Sequence, residues 1–384
     1  MTRSKRNSTE LSKTQEHVNT LALILAGGEG KALGALTSGM AKPAISFAGK
    51  YRVIDFVLSN LVNSNLDHIA ALVQFNAQSV IGHLKDGILG GPDQRQIPEI
   101  QTWEPSIART GKEGYLGTAD AVYQNRDFIA KENCATVLIV AGDHIYRQDY
   151  HDLLRFHREK AADLTIAITP VSPEDSQRFG MVEIDKDQRI TGFVEKPQKS
   201  DSSLGSMGIY VFNTAFLLSC LEKDARNGAS RHDFGLDIIP PLLQSSKVYA
   251  YRYNGYWADV STIETYWKAN LNLLEDDQAS NLLDPAWMLQ VRSSSTVPTN
   301  IRPGGIVKNS LVPEGCVIAG EVEHCVLSPG VQVEKGAVVR DSIILNNAII
   351  RSGAVVNLCV VGNHVEIAAN TQIGTSTGIT IIGK

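Results

Sequence analysis

The 384-residue sequence lacks the marks of several protein classes. Its five cysteines are widely spaced and form no CxxC pair, so the sequence indicates neither a zinc site nor a disulfide framework. No apolar run is long enough to span a membrane, and the polar first twenty residues contain no apolar signal-peptide core. These absences, with thiols that we expect to be reduced, predict a cytoplasmic protein without a membrane partner.

Long basic runs are also absent. The formal net charge is −5, which gives no indication of a nucleic-acid partner. Hydrophobic residues make up 43% of the chain and charged residues 20%, as is typical of a globular protein with a large core. A chain of this length predicts two domains. We expect a flexible N-terminal tail at residues 1–19, a first domain at 20–285, a linker at 286–303 and a second domain at 304–384.

The second domain is predicted from a repeat. Apolar residues recur every six positions, which is typical of a parallel β-helix that buries one small aliphatic side chain per side. Ordinary short antiparallel strands are the alternative. The flat faces of such coils commonly serve assembly. The repeating residues are Ala337, Ile343, Ile349, Val355, Val361, Ile367, Ile373 and Ile379, after a shorter series at Ile306, Val312 and Ile318.

The first domain alternates apolar strand-like runs with helical patterns. Leu21–Ala26, His68–Gln74 and Thr136–Ala141 are predicted strands, and Ile54–Asn65 and Gln78–Asp86 are predicted helices. This alternation predicts an α/β fold, with a parallel sheet covered on both faces. Ligands of such sheets bind at the carboxyl ends of the strands, so polar residues that follow the three strands are candidates for a site.

Further strands and one long helix are predicted later in the first domain. The helix is predicted over Ser261–Leu274, because apolar residues recur there at helical spacing. A linker rich in Ser, Asn, Asp and Pro is predicted to follow over Asp276–Pro303. The predicted strands are Leu164–Ile168, Met181–Ile184, Ile190–Val194, Gly208–Phe212 and Val248–Tyr253.

A glycine loop follows the first predicted strand. Gly27, Gly28 and Gly30 stand between a buried apolar run and a helical pattern, where the backbone needs positive φ angles and close approach to a ligand. Backbone N–H groups beside a helix N-terminus form a cradle for phosphate. The spacing fits neither a Walker A loop nor a dinucleotide-binding fingerprint. A tight strand-to-helix turn without a ligand is the alternative.

Eight further blocks along the chain contain charged, polar or glycine residues in a defined order. They are Ala41–Ala44, Phe47–Phe56, Gly117–Ala121, Ala141–Tyr146, Phe193–Pro197, Ser206–Tyr210, His232–Gly235 and Trp257–Val260. Together with the glycine loop, these blocks closely resemble the ADP-glucose pyrophosphorylases, a branch of the sugar-phosphate nucleotidylyltransferases. The resemblance covers roughly residues 20–380.

The resemblance implies an architecture and a reaction. The architecture is a Rossmann-like nucleotidyltransferase domain with a mostly parallel sheet, followed by a C-terminal left-handed parallel β-helix. The reaction transfers AMP from ATP to glucose 1-phosphate and yields ADP-glucose and pyrophosphate for glucan synthesis of the glycogen or starch type. Mg²⁺ is the implied cofactor, and the implied assembly is a homotetramer or a heterotetramer with a paralogous subunit.

The chemistry of this reaction requires carboxylates. A sugar phosphate is already an anion at neutral pH, so its attack on the α-phosphorus needs no general base, and catalysis reduces to positioning and charge neutralisation. Asp143 ends a buried predicted strand, and Asp259 precedes the predicted long helix. A turn-capping role for Asp143 and an N-cap role for Asp259 are the alternatives. The resemblance implies that both hold Mg²⁺.

The resemblance also implies roles for other polar residues. With Asp143, the implied catalytic set includes Lys42 at the nucleotide phosphates and Lys196 at the sugar phosphate. On the residues alone, Lys196 is equally well a solvated surface lysine, and Gln74 a polar strand end. The remaining implied sugar contacts are Tyr115, Glu195, Ser206 and Asp233, and the implied nucleotide contacts besides the glycines are Gln74, Gly117 and Thr118.

The glycine loop departs from the family pattern. The family reads Thr-Arg-Leu where this chain has Lys31, Ala32 and Leu33, so the arginine that steadies the triphosphate is missing. Lys31 is a point charge without the guanidinium fork and can replace that arginine only in part. Gly39 and Met40 stand where bacterial members carry a basic residue for a phosphorylated activator, which leaves the effectors open.

Three functional hypotheses follow. The leading one is a working Mg²⁺-dependent glucose-1-phosphate adenylyltransferase. The second, based on Ala32, is a non-catalytic or weakly active regulatory subunit of the same enzyme. The third is a nucleotidylyltransferase for a different nucleotide or sugar phosphate.

Overall fold

The computed structural model describes residues 19–87, 98–106, 114–289, 297–374 and 378–383. Residues 1–18 of the predicted tail at 1–19, and residues 290–296 of the predicted linker, lie outside the described residues. The described α-helices are α1 (Val53–Asn63), α2 (Ala77–Gly87), α3 (Thr118–Gln124), α4 (Arg126–Glu132), α5 (Tyr150–Glu159), α6 (Thr214–Ala225), α7 (Ile239–Leu242), α8 (Ile263–Glu275) and α9 (Asp277–Ser280). Among these helices, none has the length and apolar character needed to cross a membrane.

Short helical turns and strands complete the described structure. Turns of 3₁₀-helix cover Lys31–Thr37, Lys42–Ala44, Pro173–Arg178, Asn281–Leu283 and Pro285–Trp287, and a π-helical turn covers Phe234–Ile238. The strands are β1 (Thr20–Ala26), β2 (Ser46–Phe47), β3 (Tyr51–Arg52), β4 (His68–Val73), β5 (Ile100–Trp103), β6 (Thr136–Ala141), β7 (His144–Tyr146), β8 (Leu164–Pro170), β9 (Gly180–Ile184), β10 (Ile190–Glu195), β11 (Leu204–Asn213), β12 (Val248–Arg252), β13 (Trp257–Asp259), β14 (Asn300–Ile301), β15 (Ile306–Lys308), β16 (Val317–Ile318), β17 (Glu321–Glu323), β18 (Val326–Leu327), β19 (Gln332–Val333), β20 (Val338–Arg340), β21 (Ile343–Ile344), β22 (Ile349–Ile350), β23 (Val355–Asn357), β24 (Cys359–Val361), β25 (Glu366–Ile367), β26 (Gln372–Ile373) and β27 (Thr380–Ile382).

A nine-stranded sheet forms the centre of the first domain. Its main path runs β10-β9-β11-β6-β1-β4-β5, and β8 pairs with both β11 and β12. The strands β6, β1, β4 and β5 are parallel to one another, which confirms the predicted α/β fold with a mostly parallel sheet. The strand β11 runs antiparallel to β6 and joins this parallel half to the remaining strands.

The residues of β1 show why its sequence is apolar without alternation. Ala22 and Ile24 pack into a hydrophobic cluster on one face of the sheet, and Leu21 and Leu23 pack into a second cluster on the other face. Because helices cover both faces, every position of the strand except the half-buried Leu25 is removed from water. The register aligns the ends of β1, β4 and β6, so the loops that follow them lie side by side.

The second domain is a parallel β-helix, as predicted. Its strands form three parallel sheets, in the orders β14-β16-β19-β22-β25, β15-β17-β20-β23-β26 and β18-β21-β24-β27. Each full coil contributes one strand to each sheet. Three faces of short parallel strands therefore surround one apolar core.

The strict step of six residues is wrong in detail. Gln332 pairs with Ile349, so this coil advances the chain by 17 residues rather than by three equal steps of six. Ile306 pairs with Glu321, 15 positions later, and Cys359 pairs with Thr380, 21 positions later, so the coil length varies. Ile350 and Val356 are fully buried, whereas Ile349 and Val355, which the step of six counted as core positions, are only half-buried. Where a coil has 17 residues, one of its three steps is a residue shorter than the other two, and the buried position shifts there.

The cysteines are free thiols, as expected from their spacing. Two of them take part in a polar ladder inside one corner of the β-helix. The backbone N–H of Cys325 donates to Ser310 Oγ, and the N–H of Cys359 donates to Ser342 Oγ, both at 3.0 Å. Burial raises the pKa of Cys325 to about 12, so this thiol is inert at neutral pH.

The two domains share a hydrophobic cluster. It joins Leu33 and Phe56 of the first domain to Ile343 and Val360 of the β-helix. Trp267 Nε1 also donates to the carbonyl of Asp341 at 2.8 Å.

The last described coil reaches the segment that follows the glycine loop. Ile381 packs against the shared cluster that contains Leu33. A Cβ built on Gly383 would lie 2.6 Å from the Cβ of Ala35, so the two backbones approach closely. The β-helix therefore contacts the segment next to the candidate phosphate loop.

The prediction of a linker from Asp276 is wrong for its first part. Asp276 accepts hydrogen bonds from Gln278 and Ala279 and begins α9, and two 3₁₀ turns follow within residues 281–287. Trp287 Nε1 donates to Asn60 Oδ1, and Leu282 is buried. The polar residues that suggested a linker are helix caps.

Candidate active site

The candidate site begins where three parallel strands end. The loops after β1, β4 and β6 carry Gly27, Gln74 and Asp143. The backbone N–H of Gly142 donates to the carbonyl of Leu25 at 3.0 Å, and a Cβ on Gly142 would come within 2.9 Å of the Ile24 side chain. Glycine at 142 therefore lets Asp143 lie directly against the end of β1.

Asp259 reaches the same place through a second small sheet. The strands β13 and β7 are antiparallel, and their register sets Asp259 opposite His144. The N-cap of the following helix is Thr262, whose hydroxyl accepts from the N–H of Thr265. The N-cap alternative for Asp259 is therefore wrong, and the helix begins two residues later than predicted.

Lys42 joins the two carboxylates. Its Nζ lies 2.6 Å from Asp143 Oδ2 and 3.4 Å from Asp259 Oδ1. The side chains of Lys42 and Asp259 are 6% and 5% exposed, and that of Asp143 is 26% exposed. Three charged residues from distant parts of the sequence therefore form one largely buried cluster at the end of the sheet.

The electrostatics keep this cluster charged at neutral pH. Burial disfavours the ammonium of Lys42, but Asp143 and Asp259 more than offset that effect and its pKa is raised. Burial likewise acts against the carboxylate of Asp143, yet Lys42 and His144 bring its pKa down to about 2. The pKa of Asp259 is also lowered, because Lys42 outweighs its burial.

Two residues that the sequence did not single out complete the cluster. Ser261 Oγ accepts a hydrogen bond from Lys42 Nζ at 2.6 Å and donates to Asp259 Oδ1. Arg178 Nη2 donates to Asp259 Oδ2, and Arg178 Nη1 donates to Asp175 at 2.9 Å. A serine just ahead of a helix and an arginine 81 positions before Asp259 carry no local sequence signal.

His144 borders the cluster on another side. Its Nδ1 donates to the carbonyl of Met207 at 3.0 Å, and its ring packs edge-on against Trp257. Its Nε2 lies 3.6 Å from Asp143 Oδ1. The register of β11 is irregular between Ser206 and Tyr210, and this irregularity brings the Met207 carbonyl to the histidine.

The glycine loop lies beside Lys42. Gly30 has φ +71°, and a Cβ on it would meet Lys42 Cβ at 3.1 Å and a Thr37 methyl at 2.9 Å. The Thr37 hydroxyl donates to the carbonyl of Gly30 at 3.0 Å and fixes the turn. Here only glycine combines the left-handed backbone with the available space.

The segment after the loop is helical, as predicted, but as a 3₁₀-helix interrupted at Gly34. Ala32 is exposed. Lys31 Nζ pairs with Glu29 at 2.9 Å, and the Lys31 side chain is 80% exposed. Lys31 and Ala32, the two loop residues that depart from the family pattern, therefore face solvent.

The predicted nucleotide contacts pack closely against neighbouring segments of the chain. Gln74 Oε1 accepts from the N–H of Tyr115 at 3.1 Å, and a Cβ on Gly27 would be 3.3 Å from Gln74 Cβ. A Cβ on Gly117 would lie 2.4 Å from the carbonyl of His232, so the segment before α3 packs closely on the segment before Phe234.

The predicted sugar contacts group around Asp233. Thr118 Oγ1 donates to Asp233 Oδ2 at 2.9 Å, which places this predicted nucleotide contact among the sugar contacts. Burial and the nearby Asp233 raise the pKa of Glu195, although Lys196 opposes them. Lys196 Nζ lies 3.4 Å from Glu195 Oε1, with its side chain 61% exposed and its backbone at φ +45°.

Two further predicted sugar contacts are engaged within the protein. The buried Ser206 accepts from the N–H of Gly208 at 3.3 Å. The Tyr115 hydroxyl donates to the carbonyl of Trp103 at 3.1 Å and accepts from Asn125 Nδ2 at 3.2 Å. A contact between Tyr115 and a sugar stays a prediction.

The donor set at Lys42 suits a hard divalent cation. Asp143 and Asp259 both face one cationic nitrogen, and Mg²⁺ prefers one or two carboxylates, with substrate phosphates as its other ligands. Across the described ranges, no group of three or more His, Cys, Asp or Glu side chains forms an all-protein metal site. The two carboxylates therefore fit a cation that arrives with a nucleotide.

Comparison with known proteins identifies the family. The chain is 44% identical over 320 residues to glucose-1-phosphate adenylyltransferase of Clostridium acetobutylicum, which covers 83% of this chain and 84% of that relative. The chain belongs to the glucose-1-phosphate adenylyltransferase family. The relative from Acetivibrio thermocellus is 38% identical over 95% of the chain and 88% of its own length, and that from Bacillus cereus strain Q1 is 41% identical over 92% and 94%.

Domain matches agree with this assignment. Residues 21–276 match the nucleotidyl transferase family, and residues 293–378 match the GlmU-like C-terminal hexapeptide family. Members of the glucose-1-phosphate adenylyltransferase family are nucleotidyltransferases, so the family assignment makes the chain an enzyme of that class. It also confirms the resemblance inferred from the sequence blocks.

Proposed function

We propose that the chain transfers AMP from ATP to glucose 1-phosphate and releases ADP-glucose and pyrophosphate. The observation that supports this activity best is the cluster of Lys42, Asp143 and Asp259, which lies beside the glycine loop at the ends of parallel strands. A reaction between two anions requires fixed positive charge and a held metal more than it requires a general base.

Each part of the site has a proposed task. Backbone N–H groups of Gly28 and Gly30 receive the triphosphate, and Lys42 neutralises its charge. Asp143 and Asp259 hold Mg²⁺. When bound, Mg²⁺ neutralises the transferring and leaving phosphates.

The sugar phosphate is proposed to bind at the group formed by Glu195, Lys196 and Asp233. The side chain of Lys196 is 61% exposed, so its ammonium can reach a phosphate from its pair with Glu195 at 3.4 Å. The carboxylates of Glu195 and Asp233 are proposed to accept hydrogen bonds from sugar hydroxyls. Asp233 is held by Thr118 and by the N–H groups of Gly235 and Leu236. The acceptors are therefore in place before a sugar arrives, which reduces the entropy lost on binding.

A second candidate function is a weakly active or regulatory subunit of the same enzyme. The exposed Ala32 brings no charge to the loop, and Lys31 is paired with Glu29 at 2.9 Å. Loss of a charge-assisted contact to a leaving group reduces the rate by on the order of a hundredfold.

Pyrophosphate release from ATP and glucose 1-phosphate separates the two candidates. We expect turnover by the unmodified chain. We expect the rate of Ala32→Arg to be about tenfold or more higher, because a guanidinium can donate two parallel hydrogen bonds to the triphosphate. Ala32→Gln is the matched neutral control and should leave the rate unchanged. No turnover by the unmodified chain, with recovery in Ala32→Arg, would establish the regulatory subunit instead.

Further proposals concern the setting of the reaction. We propose a cytoplasmic enzyme of glycogen-type glucan synthesis that acts as a homotetramer or as a heterotetramer with a paralogous subunit. Sedimentation of the purified full chain tests the homotetramer, and a panel of nucleoside triphosphates and sugar phosphates in the same assay tests the third hypothesis. Faster turnover with another pair of substrates would replace the proposed reaction.

A further inference from the structure

The ammonium of Lys42 has no hydrogen-bond donor to spare. A lysine ammonium carries three N–H donors. The structure gives it three acceptors: Asp143 Oδ2 at 2.6 Å, Ser261 Oγ at 2.6 Å and Asp259 Oδ1 at 3.4 Å. With only 6% of its side chain exposed, Lys42 cannot exchange one of these partners freely for water.

The hydroxyl of Ser261 is oriented to hold the lysine. Its own proton goes to Asp259 Oδ1, so a lone pair is left to face Lys42 Nζ. The adjacent Thr262 caps α8 through the N–H of Thr265, which fixes the backbone beside the serine. Ser261 therefore supports Lys42 and the buried carboxylate at the same time.

The ammonium also contacts both of the carboxylates that are proposed to hold the divalent cation. A second cation within about 4 Å of the ammonium would be strongly repelled in such a buried place. Lys42 must therefore move when a divalent cation binds both carboxylates. A nucleotide triphosphate offers acceptors that can replace those the lysine gives up.

We infer that Ser261 is a positioning residue that holds Lys42 on Asp143 and Asp259, where the lysine competes with the divalent cation until a nucleotide draws it away. This inference rests on the proposed Mg²⁺ site. It predicts that the nucleotide-free protein binds a free divalent cation weakly and that removing the lysine ammonium strengthens this binding, although Arg178 remains on Asp259 Oδ2.

The test is direct Mn²⁺ binding to the nucleotide-free full chain, measured from the electron paramagnetic resonance signal of free Mn²⁺. Lys42→Met removes the competing charge and should tighten Mn²⁺ binding at least about tenfold. Ser261→Ala removes one acceptor of the lysine and one of the two donors to Asp259 Oδ1, and should tighten Mn²⁺ binding about threefold. Lys50→Met is the matched control, because Lys50 pairs with Glu314 outside the cluster, and should leave binding unchanged.

The outcomes separate this inference from the proposed metal site. If Asp143→Asn and Asp259→Asn leave Mn²⁺ binding unchanged, the proposed site itself is wrong. If those variants weaken binding but Lys42→Met and Ser261→Ala do not tighten it, only the competition is wrong. Should Lys42→Met fail to fold, Ser261→Ala decides alone, since a purely structural serine would lower the melting temperature without raising Mn²⁺ affinity.

Discussion

Two lysines beside the proposed triphosphate position differ in almost every physical respect. Lys42 is 6% exposed and is held by two carboxylates and a hydroxyl. Lys31, on the glycine loop, is 80% exposed and pairs with one glutamate that is itself 43% exposed. An exposed pair of this kind contributes little free energy, whereas removing one partner of a buried pair leaves a charge without compensation.

The difference between the two lysines shows where the fixed charge of the site lies. The cluster around Lys42 provides charge in fixed geometry, and the glycine loop provides backbone donors with little fixed charge. We therefore expect substitutions in the cluster to have large effects and substitutions at Lys31 to have small ones. The following predictions test that difference.

Asp143→Asn should have the largest effect. It removes a charged partner of Lys42 and a proposed metal ligand, and pyrophosphate release should fall at least about a hundredfold. Circular dichroism should show an unchanged fold. The matched control is Asp152→Asn, because Asp152 pairs with Arg155 on the surface and its loss should leave the rate within about twofold. A wild-type rate in Asp143→Asn would show that the cluster around Lys42 is not needed for catalysis, and the comparison of the two lysines would then have no basis.

The stability of the cluster should depend on pH in a defined direction. The pKa of Asp143 is lowered from 3.8 to about 2 in the folded protein, so its ionisation stabilises the fold above pH 3.8 by about 2 kcal/mol and loses this effect as the pH falls toward 2. The raised pKa of Lys42 means that its contribution is present below 10.5 and is lost as the pH rises through the folded value.

Urea denaturation of the wild type and Asp143→Asn between about pH 3 and 9 measures this effect. The difference in unfolding free energy between the two proteins should be constant from about pH 5 to 9 and shrink below about pH 4. Asp152→Asn should show no such trend. A difference that grows in acid would contradict the assigned ion pair.

Arg178→Met should have a smaller effect on the rate. Asp259 then loses the donor to its Oδ2, and we expect kcat to fall about tenfold with the KM for glucose 1-phosphate unchanged. Arg178→Lys should restore part of kcat, because it keeps the charge. Arg155→Met, at a surface ion pair, is the control. If Arg178→Met retains full kcat, Arg178 has no part in holding Asp259 for catalysis.

Lys31→Met should have the smallest effect, within about twofold in the rate, because the pair with Glu29 is exposed and screened. The experiment is the same pyrophosphate assay at low and physiological salt. A loss of tenfold or more would mean that Lys31 replaces the missing arginine, and the two lysines would then be functionally alike.

The sequence predicts a site residue better when that residue directly follows a buried strand. Asp143 is predicted because a buried strand ends in an acidic residue after glycine, whereas Asp259 is predicted from the resemblance, since its place before a helix favours an N-cap equally well. Their contact with Lys42, for which the resemblance implies a role at the nucleotide phosphates, is seen only in the folded chain. Ser261 and Arg178 could not be predicted in this way, since only the folded chain brings them to Asp259.

The fold shows a similar division. The parallel strands of the first domain can be predicted because helices cover both faces of the sheet, which makes the strands apolar throughout. The coils of the second domain can be predicted because their apolar residues repeat. The strand β5 and the two short strands β7 and β13 were not predicted, because four or fewer residues give too little pattern to recognise. The coil of 17 residues was also missed, since a step of six and one of five look alike over a short stretch.

The close approach of Gly383 to Ala35 gives the repeat domain an influence on the first domain. Coils of a β-helix stack at a fixed spacing, so the height of the last described coil is the sum of all coils beneath it. Adding or removing one coil would raise or lower that surface by about 4.8 Å and leave the segment after the glycine loop either pushed aside or without support. The number of coils therefore determines whether the β-helix reaches the segment next to the proposed phosphate-binding loop.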